Sequence, residues 1–154
     1  MPDKIMSLFL DTSVVGGCFD KDFEQDTRLL FQNIKDGKYI AYTSSSVMME
    51  LERAPEKVRN VLKEIDYTVI NVIAEYEDLA DEYIKEKVVG VTSKEDCVHI
   101  ATATANNIDV LVSWNFKHIV NIQRIKGYNS INIRKGYKPL EIRSPKEVLF
   151  YELG

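Results

Sequence analysis

Four polar residues fall where local sequence pattern would bring them to one edge of a sheet: Asp11, Glu50, Asp96 and Asn115. Asp11 closes the apolar run Ser7-Leu8-Phe9-Leu10, and so takes the carboxyl end of a strand. Asn115 does the same after Val110-Leu111-Val112-Ser113-Trp114. Glu50 lies in the first two turns of a helix that leaves a second strand. Asp96 lies in the first turn of a helix that leads back into the strand at 109–113, and such a helix begins at the carboxyl end of the strand it feeds. Carboxylates that converge in a poorly solvated cleft repel one another, and a divalent cation relieves that repulsion. Oxygen donors, with no Cys or His at zinc spacing, suit Mg²⁺ or Mn²⁺.

Each residue also has a plainer reading. Asp11-Thr12-Ser13 fits a strand-to-loop cap, Ser93-x-x-Asp96 the loose form of a capping box, Glu50 a helix-surface pair with Arg53 or Lys57, and Asn115 the cap of a turn over 116–120. The meeting of all four on one edge favours a site. His99, three residues after Asp96, reads as a structural buried imidazole or as a neighbour of the acids. His118 stands among Lys117, Arg124 and Lys126 and suits phosphate or solvent. Trp114 and Phe116 suit the core or the face of a base. Cys97 has no evident base, and Gly16-Gly17 lacks the lysine of a phosphate-binding loop.

The elements that must position these residues alternate between strand and helix. Strand-type runs cover 5–10, 39–43, 68–72 and 109–113; helical patterns cover 22–35 with Gly37 as its cap, 44–53, 55–65 opened by Pro55, 76–83 and 93–107. Four strand-helix units predict an α/β protein with three α/β/α layers and a mostly parallel central sheet, spanning 1–154 as one domain. Near the end, Ile131, Ile133 and 140–142 read as a further strand and Pro145 as the start of a last helical turn.

With 45% hydrophobic and 29% charged residues in 154, the chain is an ordinary globular sequence, without a spanning apolar run or a secretory leader, and is placed in the cytoplasm. Cys18 and Cys97 form no disulfide framework and are expected reduced. The net charge of −4 conceals a division: residues 1–115 carry 12 Lys and Arg against 21 Asp and Glu, whereas 116–146 carry 8 against 1. That basic quarter is either a solvated face or an attractant for a polyanion.

On these residues the chain resembles the PIN-domain nucleases, in particular the small stand-alone VapC-like toxins. The resemblance rests on Leu8-Phe9-Leu10-Asp11-Thr12-Ser13, on 46–51 with Glu50, on Asp96-Cys97-Val98-His99-Ile100-Ala101-Thr102-Ala103 and on 111–118. It implies a PIN-like fold and a metal-dependent endoribonuclease in which Asp11, Glu50 and Asp96 are acidic ligands of Mg²⁺ or Mn²⁺. Asn115 takes the place of a fourth acid, adding an amide oxygen but no charge. Thr12, Ser13, Lys117, His118 and Arg124 are the implied substrate contacts. The implied partners are RNA, an antitoxin protein and a second copy in a homodimer. A PIN-like RNA-binding or partner-binding module with weak catalysis is the alternative, motivated by Asn115; a phosphatase-type hydrolase lacks its nucleophilic Asp motif here.

Overall fold

The structure, a computed structural model, describes residues 4–87 and 93–153. The first strand, β1 (Met6–Leu10), ends in three consecutive buried apolar residues, Leu8, Phe9 and Leu10. A strand buried on both faces belongs at the centre of a parallel sheet. It does so here: β2 (Tyr39–Ser44) and β3 (Tyr67–Ile70) pair outward on one side, β4 (Val110–Val112) and β5 (Glu141–Arg143) on the other, all parallel, in the order β3-β2-β1-β4-β5. The strand order reverses between β1 and β4, where an open α/β sheet leaves a crevice beyond its carboxyl ends.

Eight α-helices are present among the described residues. The connections from β1 to β3 use α1 (Thr12–Gly17), α2 (Glu24–Lys35), α3 (Ser45–Leu51), α4 (Glu56–Arg59) and a 3-10 turn over Asn60–Glu64. The return to β4 and β5 uses α5 (Ala74–Lys85), α6 (Lys94–Ala105) and α7 (Ile122–Arg134), and α8 (Pro145–Leu153) closes the chain. Helices α2 and α8 pack together, while α5 packs on both α6 and α7. Right-handed crossovers put these two groups on opposite faces, which gives the expected three layers. Helix α6 is buried around most of its circumference, from Cys97 to Thr104, and its small Ala and Thr side chains let it lie close to α5 and β4. Tyr83 of α5 donates its buried hydroxyl to Asn132 of α7. Helix α2 ends as expected at Gly37, whose φ of 82° suits a residue without Cβ.

Three expectations change. Ile131 and Ile133 are helical, and the strand is confined to Glu141–Arg143. Ile125, Tyr128 and Ile131 recur every three residues on the inner face of α7, Ile133 is exposed, and Asn121 caps the helix by accepting from the Gln123 and Arg124 amides, so a helical period outweighs the brief alternation. Pro55 precedes rather than opens its helix, which breaks after one turn. A helix over Thr12–Gly17, masked in sequence by its two glycines, follows β1 directly.

The second of those glycines is fixed by space. A Cβ on Gly17 would stand 2.7 Å from Thr27 Oγ1 and 2.8 Å from Trp114 Nε1, two atoms that are hydrogen-bonded to each other, whereas a Cβ on Gly16 meets nothing within 4 Å. Gly17→Ala is therefore expected to cost about 1–3 kcal/mol in urea denaturation. Gly16→Ala should be neutral or stabilise by up to about 1 kcal/mol. Equal effects of the two would refute this account of the packing.

Candidate functional site at the β1/β4 crevice

Asp11 leaves β1 and caps α1. Its backbone is extended and its Oδ1 accepts from the Val14 amide at 3.1 Å and from Ser13 Oγ at 2.7 Å. Ser13 Oγ in turn accepts from the Trp114 amide at 2.9 Å and lies 3.4 Å from Ser113 Oγ, which accepts from the Asn115 amide. Two adjacent strand ends are thus tied through one hydroxyl. Asp11 is only 3% exposed. That burial pushes its pKa up, and the hydroxyls of Ser113 and Ser13 and the charge of His99 offset it only in part.

Glu50 is held by two residues distant in sequence. Thr12 Oγ1 donates to its Oε2 at 2.5 Å, and His99 Nε2 lies 2.8 Å from its Oε1. Burial would raise the Glu50 pKa, but these two hydrogen bonds outweigh it and hold the carboxyl below its usual range. His99 is driven down by burial and more than restored by Glu50, Asp11 and Asp96, so it stands above the usual imidazole value. Its Nδ1 is buried without a hydrogen-bond partner among the described residues, and the ring is anchored through Nε2.

Asp96 sits half-buried in the first turn of α6, whose cap Ser93 accepts from the Asp96 amide at 3.2 Å. The capping role and the site role coexist. Burial raises the Asp96 pKa, His99 and His118 lower it, and Glu50 raises it further, so the three acids and two histidines form one electrostatic group. Asn115 presents Nδ2 to Asp96 Oδ2 at 3.3 Å, while its Oδ1 accepts from the His118 amide at 3.0 Å. The amide oxygen expected to face a cation is therefore engaged in capping the turn after β4.

The sequence placed Asp11, Glu50, Asp96 and Asn115 on this edge, and the structure brings them there. Thr12 and Ser13, expected as substrate contacts, spend their hydroxyls on Glu50 and Asp11. Lys117 is exposed and His118 and Arg124 half-buried beside the group. Glu50 pairs with His99 rather than with Arg53 or Lys57. Ser113 went unread, although its place at the end of a buried strand next to Asn115 signals it, and His99 proves to be part of the group. Cys97 is buried, which with the nearby Asp96 charge pushes its thiol up to about 12, so it is inert as a nucleophile.

The donor set fits a hard divalent cation. The three acids offer oxygen alone, and two of them are pushed toward the neutral form by burial, a cost that positive charge would relieve. Among the described residues no three Asp, Glu, His or Cys side chains stand close enough to enclose an ion. An ion at this edge would therefore be held by one or two of the carboxylates, with water completing its shell.

The family model for the PIN domain matches residues 7–117, and the chain belongs to the PIN-domain family. No curated protein sequence matches it. Among solved structures it resembles VapC20 of Mycobacterium tuberculosis, a sarcin-ricin loop cleaving toxin, with a TM-score of 0.56 and 16% identity over 71% of this chain and 90% of that one. VapBC2 of Rickettsia felis, bound to a promoter DNA fragment, gives 0.54 and 18% over 90% and 98%. FitAcB of Neisseria gonorrhoeae gives 0.59 and 11% over 90% and 97%. These likenesses show a shared fold. The matched segment ends at Lys117, in the turn after β4; beyond it β5 extends the same sheet, with α7 before it and α8 after it in the chain.

Two expectations follow from the buried charges. Asp11→Asn keeps the cap and the shape but removes a carboxylate whose folded pKa is raised, so at pH 7 the metal-free protein should gain about 1 kcal/mol, a few degrees in Tm. The gain should shrink on acidification, as wild-type Asp11 takes up its proton; a lower Tm at pH 7 would refute it. The Glu50–His99 pair has opposite limits. Its Glu50 contribution is lost as pH falls through a lowered folded pKa, and its His99 contribution as pH rises through a raised one, so the pair supports the fold most fully between roughly pH 4.5 and 6.5. The stability difference between wild type and Glu50→Gln, followed against pH, should be largest in that window.

Proposed function

We propose that this protein is a divalent-metal-dependent endoribonuclease, the toxin of a toxin-antitoxin pair. The observation that carries this reading is the meeting of Asp11, Glu50 and Asp96 at the β1/β4 crevice, with burial raising the pKa of two of them. In this reading one or two of those carboxylates hold Mg²⁺ or Mn²⁺ directly, and the others act on it through bound water. When bound, such an ion supplies positive charge against a phosphodiester and makes a water more acidic. Ser13 and the Val14 amide orient Asp11, and Thr12 and His99 orient Glu50 and keep it ionised. Asn115 steadies Asp96 instead of adding a charge. RNA is the substrate by analogy with VapC20, the sarcin-ricin loop cleaving toxin.

The basic quarter draws in the polyanion, but with fewer charges than its composition offers. Arg134 pairs with Glu86 at 3.2 Å and lies 3.9 Å from Glu82, as does Lys135, and Arg143 pairs with Glu141 at 2.6 Å. Lys117, Arg124 and Lys126, around the turn after Asn115, are the cations assigned to the substrate backbone. The same acidic crevice suits a basic side chain of an antitoxin, and the reading includes a cytoplasmic homodimer. Among the described residues no helix is long and apolar enough to cross a membrane.

Cleavage of a labelled single-stranded RNA pool tests the proposal. Activity should require Mg²⁺ or Mn²⁺, vanish with EDTA, fall at least about 100-fold in Asp11→Asn and Asp96→Asn, and weaken steeply as salt rises. Full activity in both variants would overturn the site. Binding of RNA without cleavage in either metal would instead favour the RNA-binding module for which Asn115 is the motive.

A further inference from the structure

The turn that follows Asn115 carries a feature that hydrolysis alone does not require. Phe116 is a large aromatic residue left 48% exposed, one position after the residue whose amide touches Asp96. It does not hang from a loose loop. Its amide donates to Trp114 O at 3.0 Å, and the amides of His118, Ile119 and Val120 all donate to Asn115. Behind it, Trp114 and Phe23 are stacked, with centroids 4.2 Å apart and planes 14° from parallel. Phe116 meets the edge of Trp114 at 6.0 Å and tilts against Phe23 at 6.3 Å. Trp114 is only 8% exposed and its indole donates to Thr27 Oγ1 at 2.8 Å, which pins the stack to α2. The rear of the cluster is therefore core, while its outer ring is fixed, half exposed and followed in the chain by Lys117 and His118.

We propose that Phe116 is a nucleobase-stacking platform that positions a single-stranded RNA base next to the phosphodiester at the acidic crevice. The proposal rests on the endoribonuclease reading and adds to it a substrate-positioning residue. Three aspects of the geometry favour a base over an apolar side chain of a protein. The exposed ring is held rigid, so stacking costs little side-chain entropy. It directly follows Asn115, whose amide contacts Asp96, so a base stacked on it belongs to a strand that passes the acidic group. The next residue, Lys117, is an exposed cation, as a phosphate backbone requires and as an apolar protein contact does not. Stacking on one ring tolerates any base, so the platform sets where the strand lies more than which sequence is cut.

The test uses the full-length Asp96→Asn protein, which binds without turnover, and short single-stranded RNAs carrying 2-aminopurine at successive positions. At one position fluorescence should be quenched on binding. Phe116→Ala and Phe116→Leu should both abolish that quenching and weaken binding by roughly 5- to 150-fold, while Phe116→Tyr and Phe116→Trp retain both. An unchanged melting curve in Phe116→Leu guards against a folding defect. Leucine performing as well as phenylalanine would mark an apolar protein-contact surface and overturn the proposal, as would quenching that persists in Phe116→Ala or an absence of RNA binding. The two readings fail separately. Metal-dependent cleavage that needs Asp96 but ignores Phe116 overturns the platform alone, while Phe116-dependent quenching on RNAs that the wild type never cleaves overturns the nuclease and leaves the platform standing.

Discussion

A carboxylate with almost no access to water ends the central strand of the sheet, and much of the surrounding structure answers that charge. Asp11 gains a backbone amide and a serine hydroxyl by capping α1, but neither carries a formal charge, and desolvation still dominates its ionisation. An ionised carboxylate in such a place is costly unless it is paired. The nearest positive influence is His99, itself kept protonated more readily by Glu50, Asp11 and Asp96. The imidazole therefore binds the acids into one group whose members titrate together. That group spans β1, α3 and α6, so its electrostatics and the packing of those elements are one problem.

The hydroxyl network converts this charge into geometry. Ser13 donates to Asp11, accepts from the Trp114 amide and lies against Ser113, joining the ends of β1 and β4 at the point where strand order reverses. The crevice there would be open and loosely defined without such a tie. The same two residues after β4 serve different ends. Trp114 turns inward, its indole bonded to Thr27 against the face of Gly17, whereas Asn115 turns toward Asp96 and caps its own turn. The path of the chain from β4 is thus set by a glycine-sized gap on one side and an acid on the other. Phe116 inherits its position from both.

The basic C-terminal quarter shows how composition overstates available charge. Arg134 and Lys135 of α7 face Glu82 and Glu86 of α5, and Arg143 is shared between Glu141 and Glu147. Arg134 and Lys135 thereby neutralise acids of the helix against which α7 packs. Exposed pairs of this kind stabilise only slightly, by about 0–1 kcal/mol, but they remove charge from the field that a polyanion would experience.

What the sequence alone determined was the polarity of the site. Period and chain direction were enough to send Asp11, Glu50, Asp96 and Asn115 to the carboxyl edge, because a residue that ends a parallel strand, or begins the helix feeding one, has no other edge to occupy. The same reasoning read the central strands, the small-residue helix α6 and the cap at Gly37. It missed α1, where glycines hide a helix, and misread Ile131 and Ile133, where two alternating positions imitate a strand. Only the tertiary structure decided which groups meet: Thr12 with Glu50 across 38 residues, His99 with Glu50 across 49, and Ser13 with Ser113 across 100. Periodicity reports the face on which a side chain lies, not its neighbour across a sheet. For that reason the direction of each pKa shift, the turning of the Asn115 amide toward Asp96, and the rigid exposure of Phe116 all required the packed fold.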